Sequence, residues 1–332
     1  MTSTMQQVAV RASVSPATVS KFLNTPHRVA PQTGQRIAQA IEELGYVRND
    51  AARQLRAGSS TTIGLLAFDV GNPFFVDLAR RVEGYAASRG LSVLLANSDG
   101  SNERERGYLE LFEQQRVHGV LVSPIGDVER QLERLHQRGI RAVIIDKQVR
   151  PDLNSSVSID DVQGGYTAAA HLLSRGCRRL MFVGGPTGLR QADDRLAGAR
   201  RAVADREGVT IETVDVPDRS IDAGRAIGER ILLRPPADRP DGVFAMNDQL
   251  AFGLLQTLVV EGRVKVPDEI AVIGYDDIDF ASAAVVPLSS IRQPRADFAR
   301  TAVELLEAEP GGDPRQVVLE PELVVRESTR VR

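Results

Sequence analysis

The residues best equipped for chemistry in this 332-residue chain stand just after short apolar runs. Asp69-Val70-Gly71-Asn72-Pro73-Phe74-Phe75 follows Ile63–Phe68, and Asp146-Lys147 comes at the end of Ala142–Asp146. Asn247-Asp248 follows Phe244-Ala245-Met246, and Tyr275-Asp276-Asp277 follows Val272-Ile273-Gly274. Arg195 stands in Asp193-Asp194-Arg195-Leu196-Ala197-Gly198. Carboxylates accept from vicinal hydroxyls, a guanidinium donates in a fork, and an aromatic face covers the apolar side of a ring. The set suits a polyhydroxylated small molecule. Each residue also has a purely structural use. Phe74 and Phe75 open a helix, Asp248 can cap one, and Arg195 can pair with Asp193 or Asp194 at the surface. Their shared placement carries the weight.

That placement requires strands. The runs Ile63–Phe68, Ser92–Ala96, Gly119–Ser123, Ala142–Asp146, Val157–Ile159, Leu180–Gly184, Ile211–Val214, Gly242–Ala245 and Ile270–Gly274 read as strands. Between them lie helical stretches, at about 74–89, 103–116, 128–137, 164–174, 223–233 and 249–261. Continuous β-branched runs joined by helices mean parallel sheets covered on both faces. The repeats are too many for one open sheet of ordinary size, so two doubly wound subdomains are expected, with ligands beyond the carboxyl ends of their strands. No G-x-x-x-x-G-K-[ST], H-E-x-x-H or G-x-S-x-G run is present, and Gly184–Gly188 does not match G-x-G-x-x-G. No catalytic residue, cofactor or metal is therefore expected. The four histidines are scattered, and the single cysteine, Cys177, reads as incidental.

A net charge of −3 conceals a split: residues 1–60 carry seven basic and three acidic side chains, a net +4, and the remainder carries −7. A basic head on an acidic body suggests that the head meets a polyanion, with salt-dependent binding. Thr4 can cap a short helix to about Ala12; Ser15 and Pro16 can start a second, to about Asn24. A third runs from Pro31 to Gly45 with Ile37, Ala40, Ile41 and Leu44 on one face. This is the spacing of an all-α helix-turn-helix unit. In that geometry Pro16, Ala17 and Lys21 face base edges, while Thr18 and Ser20 reach phosphates. The same positions also suit the solvent face of a plain bundle. Asn49–Gly58 is too short for a stable isolated helix; Leu55 among Arg53 and Arg56 suits a minor-groove wedge, or a linker with one stray leucine.

The run Val8–Asn24, Glu43-Leu44-Gly45-Tyr46 and the segment ending at Leu55 resemble the lactose-repressor (LacI/GalR) family of bacterial regulators, and the resemblance extends over the body. It implies an allosteric repressor, a homodimer on a pseudo-palindromic operator. The DNA contacts it implies are Thr4, Ser15, Pro16, Ala17, Thr18, Ser20, Lys21, Asn24, Arg28, Asn49, Ala52, Arg53 and Leu55. It implies effector contacts at Arg195, Asn247 and Asp276, with Phe74, Phe75 and Asp146 next. The body is similar to periplasmic sugar-binding proteins. The expected division is residues 1–48 as head and 49–60 as hinge. Residues 61–159 with 290–319 form one subdomain, and residues 160–289 with 320–332 the other. Crossings are expected near Asp160, Ser289 and Glu320, with Arg326–Thr329 as the terminal strand. Ser13 replaces a usual glycine, Ala30 a usual serine, and Asp218-Arg219-Ser220 stands where an aromatic is common. With Arg190, that arginine suits a sugar acid or phosphorylated sugar as effector; solvated surface arginines read equally well. The polar start Met1–Gln7 and the lack of a long apolar run point to a cytoplasmic protein without membrane contact. The rival readings are a periplasmic or cytoplasmic small-molecule-binding protein and a sugar-modifying enzyme on a doubly wound scaffold.

Overall fold

A computed structural model describes residues 3–46, 60–146, 154–204, 206–308 and 312–330. The expected contacts Asn49, Ala52, Arg53 and Leu55 lie outside the described residues. The chain divides into two compact units, Met1–Ser60 and Thr61–Arg332.

The first unit holds helices α1 (Met5–Arg11), α2 (Pro16–Asn24) and α3 (Pro31–Leu44). Thr4 and Gln7 form a reciprocal capping box at α1, and the Ser15 hydroxyl accepts from the Thr18 N–H at α2. Val8, Ala9, Ala12, Val19, Ile37 and Ala40 form its core. Ser13 takes the left-handed conformation at φ 52°, the strain expected where glycine is usual. Ala30 gives α3 no side-chain cap. Gly34 has a packing reason: a Cβ there would lie 3.0 Å from the Phe22 ring.

The second unit contains two six-stranded sheets. The first is built from β1 (Thr62–Ala67), β2 (Ser92–Asn97), β3 (Gly119–Val122), β4 (Arg141–Ile145), β5 (Ser155–Ile159) and β11 (Gln316–Leu319). The second is built from β6 (Arg179–Gly184), β7 (Thr210–Asp215), β8 (Gly242–Ala245), β9 (Ala271–Asp276), β10 (Ser289–Arg292) and β12 (Glu322–Val324). Their orders are β11-β5-β4-β3-β1-β2 and β12-β10-β9-β8-β6-β7. Every pairing is parallel except β10 with β12. Helices α4 (Pro73–Ser88), α5 (Asn102–Gln114), α6 (Glu129–Gln137) and α11 (Arg295–Glu307) belong to the first sheet's half. The second half has α7 (Asp161–Ser174), α8 (Arg190–Val203), α9 (Ile221–Leu232) and α10 (Asp248–Leu255), which continues as π-helix to Glu261.

The central strands β3 and β8 are wholly buried, as helices on both faces demand. Each sheet reverses direction of growth beside its first strand, between β1 and β3 and between β6 and β8. A crevice opens at such switch points.

Two expectations need correction. The second crossing does not fall at Ser289: β10 pairs with β9 through Arg292, so the chain leaves the second sheet near Gln293. The terminal strand is not Arg326–Thr329 but Glu322–Val324. Residues 327–329 form a turn. Their polar side chains are buried and bonded sideways: the Ser328 hydroxyl donates to Val272 O at 2.6 Å, and Thr329 Oγ1 meets Ser289 Oγ and His171 Nε2, both at 2.7 Å. The Ser328 backbone is held as well, its N–H donating to Pro287 O and its carbonyl accepting from Val272 N–H.

Candidate effector cleft and DNA-reading head

The best-defined site lies where the two switch points meet. Arg195, on α8, is 5% exposed, although arginine normally stays in water. Two glycines allow its burial. A Cβ on Gly165 of α7 would lie 1.9 Å from the Arg195 carbonyl oxygen, so the two helices touch backbone to backbone there. A Cβ on Gly164 would lie 2.3 Å from the Tyr275 hydroxyl, so that position makes room for the ring beneath the guanidinium. Arg195 Nε donates to Asp161 Oδ1 at 2.8 Å and Nη1 donates to the Met246 carbonyl at 2.6 Å. Its Cζ stands 3.6 Å from the Tyr275 ring centroid, and Nη1 is 4.0 Å from Asp276 Oδ1. The surface pairing with Asp193 or Asp194 does not form; Asp194 accepts from Arg190 Nε instead, at 3.1 Å.

Asp276 ends β9 at φ 103°, a conformation that costs a non-glycine residue strain and that marks functional sites. Its carboxylate accepts from Asn72 Nδ2 at 3.1 Å and from Gln293 Nε2 at 2.7 Å. Burial pushes its pKa above the usual carboxylate range, while Arg195 opposes the shift. Asn247, not Asp248, caps α10: its Oδ1 accepts from the Leu250 N–H at 3.0 Å, and its Nδ2 donates to Arg219 O at 3.1 Å. Asp248 is fully buried against the Ser290 hydroxyl and the Ile278 N–H, at 2.7 and 2.8 Å.

From the first sheet come Asp146 and the aromatic wall. Asp146 has φ 62°, accepts from Gln191 Nε2 of the other half at 2.7 Å, and is pushed up to about 7, by burial first and by Asp161 second. Phe74 and Phe75 are both buried, their rings edge to face at 5.1 Å, and both line the cleft. The six expected effector contacts thus share one cleft of about 380 Å³. Asn72, Gln191, Gln293, Phe68, Leu189, Met246 and Arg219 complete it; of these only Arg219 was singled out from the sequence, as an arginine that could meet an acidic effector. Arg219 Nη2 lies 3.4 Å from Asp69 Oδ2, so it brings no uncompensated charge, and Arg190 is engaged by Asp194. The Cys177 thiol is buried, pushed up to about 11 by that burial, and donates to Asp241 O. Among the described residues no group of three His, Cys, Asp or Glu could hold a metal, and no helix is long and apolar enough to cross a membrane.

In the head, Ser15, Pro16, Ala17, Lys21, Asn24 and Arg28 are exposed, and Thr18 and Ser20 are half-buried. Pro16, Ala17, Ser20 and Lys21 lie on α2, whose apolar side carries the buried Val19. Ser15 and Thr18 bond each other through their hydroxyls at 2.9 Å. The Asn24 amide donates to Ser20 Oγ at 3.4 Å. Thr4 is exposed but engaged in its capping box. Arg11 is held by Glu43 across the bundle at 2.5 Å, so part of the head's positive charge is internally neutralised.

A helix-turn-helix unit in the same chain as a two-sheet small-molecule clamp defines a ligand-controlled DNA-binding regulator. The profile described as "Bacterial regulatory proteins, lacI family" matches residues 4–49, and that described as "Periplasmic binding protein-like domain" matches residues 169–329. A ribose operon repressor of Halalkalibacterium halodurans is 34% identical over 331 residues, covering 98% of this chain and 97% of that protein. The HTH-type transcriptional repressor PurR of Photobacterium profundum is 32% identical over 332 residues, 98% of each. The solved transcriptional regulator CelR–cellobiose complex superposes with a TM-score of 0.69 at 29% identity, over 98% of this chain and 99% of that one. The chain belongs to the lacI family of bacterial regulatory proteins.

Proposed function

We propose that this chain is a cytoplasmic, dimeric transcriptional repressor that reads a pseudo-palindromic operator through α2 and releases or engages it according to a sugar bound between the two sheets. The observation that carries the sugar reading is the cleft itself. Asp146, Asn247 and Asp276 from three strand ends and Arg195 from α8 converge onto a space walled by Phe74 and Phe75. A ring with vicinal hydroxyls matches that mixture of carboxylates, amide, guanidinium and aromatic faces. Two relatives respond in name to such ligands, one being a ribose operon repressor and the other bound to cellobiose.

The proposed division is a head at 1–48, a hinge at 49–60, and two subdomains whose chain crossings lie near Asp160, Gln293 and Glu320. Effector binding that favours one closure of the sheets shifts operator affinity, and operator binding shifts effector affinity by the same factor. Mobility-shift titration of the intact chain and of a version lacking residues 1–60 tests the DNA assignment. Specific binding should vanish with the deletion, and its survival would contradict the assignment. Lys21→Ala should change base preference, whereas removal of a phosphate-contacting arginine weakens all sequences alike. A thermal-shift screen of monosaccharides, disaccharides, sugar acids and nucleobases tests the effector class, because a ligand of the native state raises its melting temperature. Stabilisation by nucleobases alone would overturn the sugar reading.

A further inference from the structure

We propose that Arg219 and Asp69 form a gate across the cleft that limits the effector to a single uncharged sugar ring. The inference rests on the reading of the cleft as a sugar site. Two spaces meet at these residues. The inner one, about 380 Å³, holds Arg195, Asn247 and Asp276; the outer one, about 1,250 Å³, opens among Pro124, Pro186, Gly188 and Asp218. The inner space is much the smaller of the two. Phe68, Asp146, Leu189, Gln191 and Arg219 line both and form the boundary between them, where Gln191 Nε2 also donates to Asp146 Oδ2 at 2.7 Å.

The boundary is closed by a specific arrangement. Asp69 follows β1 of the first sheet, and Arg219 precedes α9 of the second half. The Arg219 Nη2 to Asp69 Oδ2 distance is 3.4 Å, and the Arg219 Cζ stands 4.9 Å from the centroid of the Phe68 ring. The side chains are 19% and 23% exposed, which screens the pair less than a surface ion pair. The arginine backbone is held too, since Asn247 of the inner space donates to its carbonyl at 3.1 Å. Swinging the arm aside therefore loses both an ion pair and a cation–π contact. Because the two partners come from opposite halves, the gate forms as the sheets draw together and seals the inner space behind a bound ring. Charge selection follows as well. Among the described residues that line the inner space, Arg219 is matched by Asp69 and Arg195 by Asp161, so an anionic sugar meets carboxylates and cations that are already paired.

Calorimetry on the full-length chain tests this, with D-ribose and D-glucose as single rings, cellobiose as two rings, and glucose 6-phosphate as the charged probe. The wild-type chain should bind at least one single ring at least tenfold more tightly than cellobiose and show no preference for the phosphate. Arg219→Ala and Asp69→Ala should each shrink the single-ring preference at least fivefold, through a gain in cellobiose affinity. Arg219→Lys, which keeps the pair and loses the planar stack, should fall between. Melting temperatures of the variants close to wild type establish that they fold. An unchanged preference in both alanine variants, or a wild-type preference for cellobiose or the phosphate, would overturn the gate while leaving the sugar reading intact. Failure of the wild-type chain to bind any of these sugars would overturn both.

Discussion

The two sheets share a strand order, but they bring different chemistry to the cleft between them. The first supplies Phe68, Phe74, Phe75, the Asn72 amide and the Asp146 carboxylate to the inner space, and Asp69 at its edge. The second supplies the fixed charges: Arg195 and Asp276, with Asp161 and Tyr275 behind them, and the Asn247 amide. The first half is thus a wall whose contribution is mostly shape and apolar contact, and the second is a preorganised polar socket. Such a socket is costly to leave half-made, because a buried charge without its partner loses far more than a missing apolar contact. The two halves should therefore fail differently when they are mutated.

The largest effect is expected from the socket. Arg195→Ala leaves the Asp161 carboxylate buried without its guanidinium and strips the Met246 carbonyl of a donor. Breaking a buried pair costs about 3–5 kcal/mol, so urea denaturation should show a loss of that order. Sugar binding by calorimetry should fall at least a hundredfold. A stability within ~1 kcal/mol of wild type would mean that the socket is not a coupled unit.

Next comes Asp146, the carboxylate that the wall places in the inner cleft. The pKa of Asp146 in the folded chain, about 7, lies above its ordinary 3.8, so the folded chain keeps a proton that the unfolded chain releases. Stability from this group is greatest below pH ~4, falls as pH rises to about 7, and is level above, by up to ~1.4 kcal/mol per pH unit within that window. Asp146→Asn should remove this slope. Denaturation midpoints of wild type and variant should therefore diverge between pH 4 and 7, with the variant gaining. Parallel curves would place Asp146 in water rather than against the socket.

The difference between the halves also explains what was legible in advance. The core strands announce themselves as β-branched runs, and the nine read from the sequence overlap β1 to β9. Strands β10 to β12 are three or four residues long, with polar starts such as Ser289-Ser290 and Glu322, so no periodicity marks them. Five of the six expected effector contacts stand at strand ends or helix starts, which sequence can locate; Arg195 lies in the second turn of α8. Gln191, Gln293 and Asn72 are single amides that reach the cleft only through tertiary packing. Tyr275 and Asp161 lie behind Arg195, where only the paired glycines Gly164-Gly165 in a helical run hinted at a close helix contact. In the head, capping residues and helix bounds were readable because they are local. The internal use of Thr4, Ser15 and Asn24 was readable only in part, since Ser20 and Asn24 pair through side chains.

A smaller effect is expected where the wall touches the socket. Asn72 caps α4 through the Phe74 N–H at 3.0 Å and donates across the cleft to Asp276. Asn72→Ala should cost ~1 kcal/mol for the cap and about as much again for the carboxylate left one donor short. Asn72→Ser restores the cap but not the reach. Comparison of the two by denaturation separates the contributions: equal losses would show that the cap carries no stability, and wild-type stability in Asn72→Ser would show that the cross-cleft bond carries none.

The smallest effect should come from the wall itself. Phe75 is buried at 8% exposure, with its ring 5.1 Å from that of Phe74 and 6.1 Å from that of Phe68. Phe75→Leu keeps most of the volume and loses the aromatic face, a change that costs under ~1.5 kcal/mol in a core. Because the wall contributes shape rather than charge, sugar affinity should drop only severalfold and keep its ranking among single rings. The polar groups that recognise individual hydroxyls stand on the other half and remain in place. A reordering of sugar preference in Phe75→Leu would mean that the wall, and not the socket, discriminates among effectors.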